Sequence, residues 1–255
     1  MRTIFQFLAV VLALHCPAAW AQSTVSKSPP PLNVSGKWEA SNAGFYGQLR
    51  QVGAVISGRC YTGANCVIRG AFVGDYVMIT ANWGHADKQC RRGTFVAPNT
   101  GKLSPLVGKW YGDPDIGDGL TRVSADPGEP VSYPYADELK ECGDLVTYEL
   151  SFEVNSAQLK NADAPVLAAL AEFLKSDAAA KLTIVGHTDA TGAAEKNKKL
   201  SLDRATSVKA RIAELCACDP TRLKVEGMGP DQPLESNDTP AGRAINRRVE
   251  ITLGR

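Results

Sequence analysis

The stretch Thr183–Arg204, TIVGHTDATGAAEKNKKLSLDR, decides how the chain is read. With Leu182 before it, the segment opens on a β-rich apolar run that reaches Gly186. It then passes through small polar residues and turns helical from about Ala193. A strand that feeds a helix N-terminus makes an anion site, because the first amides of a helix have no intrahelical partner. Asp189 adds a carboxylate at the same mouth. Along the helix, Asn197, Ser201 and Arg204 fall four and three residues apart and so share one face. Carboxylate, helix amides and guanidinium therefore converge on one small ligand. A ligand carrying both an amine and a carboxylate suits them.

The segments Gly186-His187-Thr188-Asp189, Gly192, Asn197, Leu200-Ser201 and Arg204-Ala205 recur with Gly227-Met228-Gly229, Pro233 and the run GRAINRRVE at 242–250. In order and spacing they resemble the peptidoglycan-binding domain of the OmpA family, over roughly Cys142–Arg255. The resemblance implies a domain that binds the peptidoglycan stem peptide at its meso-diaminopimelate. It implies that Asp189 takes the ligand ammonium and Arg204 the carboxylate. Thr191 and Asn197 add hydrogen bonds, Asn155 matches a polar position beside the ligand, and Arg247 closes the far side. Glu153 stands where the family often has Asp, a departure that touches packing more than ligand. Taken singly, each residue has a plainer reading. Asp189 caps a helix, Arg204 is a surface cation or the partner of Asp189, and Arg247 and Arg248 are a solvated pair. His187 is a strand-end residue bonded to backbone, not a catalytic group. It is the combined signature that favours a site.

Composition and charge agree with an ordinary globular chain of 255 residues, 44% apolar and 22% charged, long enough for two modest domains. A formal charge of +1 gives no electrostatic case for nucleic acid. Arg2, the apolar core Ile4–Leu14 and Ala19-Trp20-Ala21 read as a secretory signal cleaved after Ala21. The rival reading, a lipoprotein signal ending at Cys16, is disfavoured by the bulky His15. Of the seven cysteines, Cys60, Cys66, Cys90, Cys142, Cys216 and Cys218 follow the signal and suit an oxidising compartment. The sequence does not choose among their pairings. Cys216 and Cys218 are too close for an easy mutual bridge, and Cys142 is a suitable partner for one of them. A zinc site from Cys60, Cys66, His85 and Cys90 lacks any CxxC pair, and structural disulfides are favoured over it.

Residues 22–31 read as a proline-rich tether. From Leu32 to Gly112 the pattern is one of short strands with glycine at the junctions, clearest in Tyr76–Trp83, where Val77, Ile79, Ala81 and Trp83 share a face. This predicts a small soluble antiparallel meander or barrel, too short to span an outer membrane. Trp38, Trp83 and Trp110 fall in its core. Gly36-Lys37-Trp38 is weakly similar to the Gly-x-Trp of lipocalins. Residues 113–141, rich in Gly, Asp and Pro, read as an irregular linker. In the C-terminal part, Leu145–Phe152 reads as a strand. A helix begins at Asp163, with Val166, Leu167, Leu170, Phe173 and Leu174 as its apolar stripe. A second helix, Ala193–Leu215, is expected to bury Leu202, Ala205, Val208, Ile212 and Leu215. Thr239 caps a short helix with Pro240 at its first position.

The expected fold is therefore α+β in two domains: an N-terminal small antiparallel β-meander or barrel over 32–112 and a C-terminal OmpA-like βαβαββ mixed α/β sandwich over 142–255. No catalytic motif stands out: there is no supported Ser-His-Asp set and no HExxH. No cofactor or metal is expected. The function expected is non-covalent peptidoglycan binding that anchors the β domain at a Gram-negative cell wall, in the periplasm or at the outer membrane. The alternatives are a small-ligand carrier whose barrel is the working part, or an adaptor that docks an outer-membrane or periplasmic partner.

Overall fold

Alternation of side chains builds the first sheet. The computed structural model describes residues 33–40, 46–60, 66–84, 90–99, 106–107, 109–111, 119–126 and 135–254. The expected signal peptide, the lipoprotein alternative at Cys16 and the tether lie outside them. The strands are β1 (Gly36–Ala40), β2 (Tyr46–Val52), β3 (Val55–Cys60), β4 (Cys66–Val73), β5 (Tyr76–Gly84), β6 (Cys90–Pro98), β7 (Leu106–Val107), β8 (Lys109–Tyr111) and β9 (Gly119–Ser124). They pair antiparallel in the order β7-β9-β1-β2-β3-β4-β5-β6-β8. The sheet curls, because its two ends are halves of one stretch: Leu106 and Val107 pair with β9, while Lys109–Tyr111 pair with β6. Two hairpins turn on glycines with positive φ, Gly53 at 60° and Gly74 at 58°, a conformation other residues resist.

The inner face is filled. Val34, Trp38, Leu49, Ile56, Ile68, Val77, Ile79, Ala81, Phe95, Ala97 and Leu120 make one buried cluster. The Trp38 indole N–H donates to the Val34 carbonyl at 2.8 Å, so the largest of these side chains carries no unmet donor. Val77, Ile79 and Ala81 take the inner positions of β5 that alternation assigns them. The side chains of Trp83 and Trp110 lie outside the described residues.

The segment expected to be an irregular linker contains structure. Gly119–Ser124 is β9, registered against β1 from Ala40↔Leu120 to Lys37↔Ser124, and Tyr135–Cys142 is helix α1. Both escape a reading by periodicity for the same reason. Strand β9 offers one buried apolar anchor, Leu120, and α1 is only eight residues long, with Tyr135, Glu138 and Leu139 buried.

The second sheet comprises β10 (Asp144–Thr147), β11 (Lys181–His187), β12 (Leu223–Gly229) and β13 (Val249–Gly254), in the order β10-β13-β11-β12, with β11 and β12 parallel. Helices α2 (Pro165–Ser176), α3 (Ala194–Cys216) and α4 (Pro240–Asn246) complete the fold. Val166, Leu167, Leu170, Phe173 and Leu174 of α2 are buried against the sheet, as their spacing requires. Ala164 rather than Asp163 is the N-cap of α2, and Pro165 occupies the first turn. The first strand ends at Thr147, and Phe152 instead makes an isolated bridge with Leu159. In α3 the buried residues are Ser201, Ala205, Val208, Ile212 and Cys216, while Leu202 is exposed. Thr239 caps α4 by accepting from the Gly242 amide at 2.9 Å.

Residues 31–255 form one contact unit. The outer face of β4–β6 is covered, not solvated. Arg69 on β4 donates to the Glu138 carboxylate of α1 at 2.7 Å, and Asn82 on β5 donates to the same oxygen at 3.0 Å. Met78 and Val96 pack with Val146, Tyr148, Ala244 and Ile245. A disulfide joins Cys90 to Cys142. A second joins Cys216 to Cys218, against the expectation that these two are too close to bridge. Ala217 between them adopts the left-handed conformation at φ 50°, ψ 34°, which brings the Cα atoms to 5.1 Å, within the range a disulfide spans. Cys142 is therefore not the partner of either. Cys90, bonded to Cys142, is not available as the zinc ligand considered above.

Candidate functional site

Glycines set the depth of the site. A Cβ on Gly186 would lie 2.2 Å from the Ser201 carbonyl oxygen, and one on Gly227 would lie 2.5 Å from the Leu202 amide. Helix α3 thus rides directly on the backbones of β11 and β12. Ser201, fully buried, completes the contact: its hydroxyl donates to the Lys198 carbonyl and accepts the Gly229 amide at 2.9 Å. The end of β11, carrying His187 and Thr188, is pinned on both sides. His187 N–H donates to Arg248 O at 3.0 Å and Thr188 N–H to Gly229 O at 2.9 Å.

The loop that follows presents Asp189. One carboxylate oxygen accepts the Thr191 amide at 2.9 Å, and the other accepts the Arg247 guanidinium at 2.6 Å. Asp189 is not the cap of α3; that position belongs to Ala193, which offers no side-chain acceptor. Burial pushes the Asp189 carboxyl up, but the Arg247 guanidinium and the amide and hydroxyl of Thr191 outweigh it and hold it below the usual carboxylate range. Asn197 on the first turns of α3 donates to the Asp189 carbonyl at 3.3 Å and the Thr191 carbonyl at 2.9 Å. Its amide thereby fixes the loop that aims Asp189.

Arg204 lies further along α3, half-buried. Its Nε donates to the Ser156 carbonyl at 3.0 Å, and its guanidinium carbon stands 5.0 Å from the centre of the Phe152 ring. Burial and then the Arg247 charge pull its pKa down, opposed by Asp189. Arg204, Arg247 and Asp189 therefore lie within one another's field. Asn155, exposed, has φ 52° and forms the turn from which Ser156 reaches Arg204.

Five of the six residues singled out by sequence thus join in one network of hydrogen bonds, ion pairs and mutual charge. The sixth, Asn155, enters through its backbone. Phe152, Ser156, Asn237 and Asn246 were not assigned roles. Asn237 accepts from the Ala190 amide and from Asn246 at 3.0 and 3.1 Å. Asn246, fully buried, accepts from the Leu234 and Glu235 amides. The signal was the Asn inside an apolar–basic run, a polar residue in a position that buries it.

Residues 151–247 match the OmpA family. The C-terminal region of this chain is an OmpA family domain. Outer membrane protein Omp38 of Acinetobacter baumannii is 38% identical over 133 residues, covering 51% of this chain and 37% of that protein. The probable lipoprotein YiaD of Escherichia coli is 40% identical over 104 residues, covering 41% and 47%. The peptidoglycan-binding protein ArfA of Mycobacterium bovis is 38% identical over 130 residues, covering 51% and 39%. The chain thus spans less than half the length of these relatives, and each match covers about half of this chain or less. Among solved structures, the peptidoglycan-associated lipoprotein of Burkholderia pseudomallei aligns at 25% identity and a TM-score of 0.38, over 41% of this chain and 88% of that one. The Asp189–Arg204–Arg247 cluster lies within the OmpA domain.

Proposed function

We propose that the OmpA domain binds peptidoglycan through the Asp189–Arg204–Arg247 cluster, at the diaminopimelate of the stem peptide, and holds the curled sheet at the cell wall. The observation that carries this reading is the trio of charges: one carboxylate ion-paired to the Arg247 guanidinium at 2.6 Å and within the field of a second, that of Arg204. An ammonium needs the carboxylate, and a carboxylate needs a guanidinium fork. A diamino acid in a wall peptide offers both groups a few bonds apart. The Nε of Arg204 is engaged by Ser156, and among the described residues no hydrogen bond takes up its Nη edge, which we assign to bidentate contact. Arg247 already donates to the Asp189 oxygen that an ammonium would use, so ligand binding exchanges one cation for another and frees Arg247 for the ligand's carboxylate. Thr191 and Asn197 hold the loop. Sequence similarity to a protein named for peptidoglycan binding, and to outer-membrane proteins and a lipoprotein, supports an envelope setting.

Charge-assisted hydrogen bonds of roughly 1.5–3 kcal/mol each give affinities between about millimolar and micromolar, sufficient on a polymeric wall. We read the curled sheet as a closed, filled barrel. The packing of its inner face by Trp38, Phe95 and their neighbours favours anchoring over the carrier reading. The test is co-sedimentation of the full chain with diaminopimelate-type sacculi. Wild type is expected to pellet, and Asp189→Ala and Arg204→Ala to stay in solution with unchanged circular dichroism. Arg204→Lys is expected to lose about tenfold or more in affinity, since a lysine offers no fork. A folded wild type that stays in solution overturns the reading.

A further inference from the structure

The Cys90–Cys142 and Cys216–Cys218 disulfides are built differently. Cys90 and Cys142 are 52 residues apart and tie β6 to the end of α1, whereas Cys216 and Cys218 are separated by a single residue. Closing so short a stretch barely restricts the unfolded chain, so the second bridge is a poor staple. Ala217 between the two cysteines, the C-cap of α3, sits in the left-handed region, where a Cβ is disfavoured. Only one other described non-glycine residue, Asn155, has positive φ, and asparagine tolerates it far better than alanine. The two residues of the short bridge also differ in burial. Cys216 is buried in the core of the OmpA domain, while Cys218 is only partly buried, with the charges of Lys209 and Arg222 acting on its neighbour Asp219.

We propose that Cys216–Cys218 is a thiol–disulfide exchange site whose substrates are dithiols of reducing proteins or small molecules. A thiolate of the incoming dithiol attacks Sγ of Cys218, the less buried residue of the pair. The Cys216–Cys218 bond breaks, and its electron pair leaves on Cys216 Sγ, which takes a proton. The second thiol of the reductant then attacks the mixed disulfide and expels Cys218, which is protonated in turn. The dithiol is oxidised to a disulfide, and the cysteine pair is reduced by two electrons and two protons. Reduction lets Ala217 leave the left-handed conformation at the end of α3. Twenty-three residues of helix, about 34 Å, separate this end from the Asp189 loop, so the exchange site is remote from the proposed wall contact.

The test is a graded dithiothreitol titration of the full oxidised chain, with iodoacetamide trapping and peptide mass analysis. Cys216 and Cys218 are expected to be labelled at dithiothreitol concentrations at least tenfold below those that open Cys90–Cys142. The variant Ala217→Gly, which relieves the left-handed alanine, is expected to need about fivefold more dithiothreitol than wild type at the 216–218 pair. If both bridges open together, or Cys90–Cys142 opens first, the proposal is overturned. An Ala217→Gly variant that titrates like wild type overturns the role given to Ala217. Neither readout depends on whether the chain binds peptidoglycan.

Discussion

His187 sits two residues before Asp189 and shows how tightly this end of the sheet is built. It is almost fully buried, its ring 3.6 Å from a Glu250 carboxylate oxygen that Arg248 also holds at 2.6 Å. Burial first, and the Arg248 charge second, lower its pKa to about 4, with Glu250 opposing. The folded protein thus prefers the neutral ring. Between about pH 4 and pH 6.5 the unfolded chain binds a proton there that the folded chain refuses. Stability therefore rises with pH across that window and is lost as pH falls through it, with a slope of at most about 1.4 kcal/mol per pH unit from this group. Asp189, held low, loses its contribution only below the ordinary carboxylate range. Glu149, pushed up by burial against Arg69 and the Tyr135 hydroxyl, acts in the opposite direction. The comparison is therefore with a variant: His187→Gln is expected to flatten the dependence of the urea midpoint on pH between 5 and 6.5. A variant whose pH dependence tracks that of the wild type contradicts the assignment. That Asp189, Arg204 and Arg247 come together was legible only through the combined signature, because each charge taken singly reads as a cap, a surface cation or a solvated pair. Asn155 was legible only as a polar residue; that its backbone turn, rather than its side chain, serves Arg204 depends on a φ no sequence displays.

At the scale of elements, α3 explains both what the pattern reveals and what it hides. A 3.6-residue period places Ala205, Val208 and Ile212 inside, and they are. It also offers Leu202 and Ser201 as competitors for the next inward slot, and hydrophobicity favours the leucine. The structure chooses Ser201, because the Gly229 amide at the end of β12 needs an acceptor there and an apolar side chain offers none. Leu202 is displaced to the flank, its backbone against Gly227. Gly227→Ala should therefore force α3 off the sheet. A Cβ between 2.5 and 2.7 Å from Leu202 backbone and Cβ atoms has no flexible neighbour to move. The expected cost is about 1–3 kcal/mol, read as a lowered thermal midpoint. Retention on sacculi is expected to weaken too, since Asn197 and Arg204 ride on the displaced helix. A variant as stable as wild type would show that the helix–sheet contact is looser than the structure has it.

At the scale of the whole molecule, the junction between the sheets was the least legible feature. Along β4 and β5 the polar residues Arg69, Thr80 and Asn82 alternate with buried apolar ones, which reads as a solvated outer face. All three are buried: α1 arrives from the segment with no visible period and lays Glu138 and Tyr135 over Arg69 and Asn82, while Thr80 meets the Thr94 hydroxyl of β6 at 3.3 Å. An ion pair in such a setting contributes less through attraction than through the harm of breaking it. Arg69→Met alone leaves the buried Glu138 carboxylate with Arg92, 3.8 Å away, as its remaining cation and should cost about 3 kcal/mol, whereas Arg69→Met with Glu138→Leu should recover most of it. The disulfide tests the same junction from the covalent side. A bridge across 52 residues should contribute about 4 kcal/mol by restricting the unfolded chain. With the Arg69–Glu138 contact intact, Cys90→Ala/Cys142→Ala should still unfold in one urea transition, shifted to a lower midpoint, because the covered face couples the sheets without the bond. Adding Arg69→Met and Arg92→Met to that variant removes the bond and the ion pairs to Glu138 and Asp144 and should split the transition, with Trp38 fluorescence in the curled sheet and the ellipticity of α2 and α3 reporting separate midpoints. A single transition that persists would place the coupling in the apolar contacts of Met78 and Val96 with Val146 and Ile245 instead.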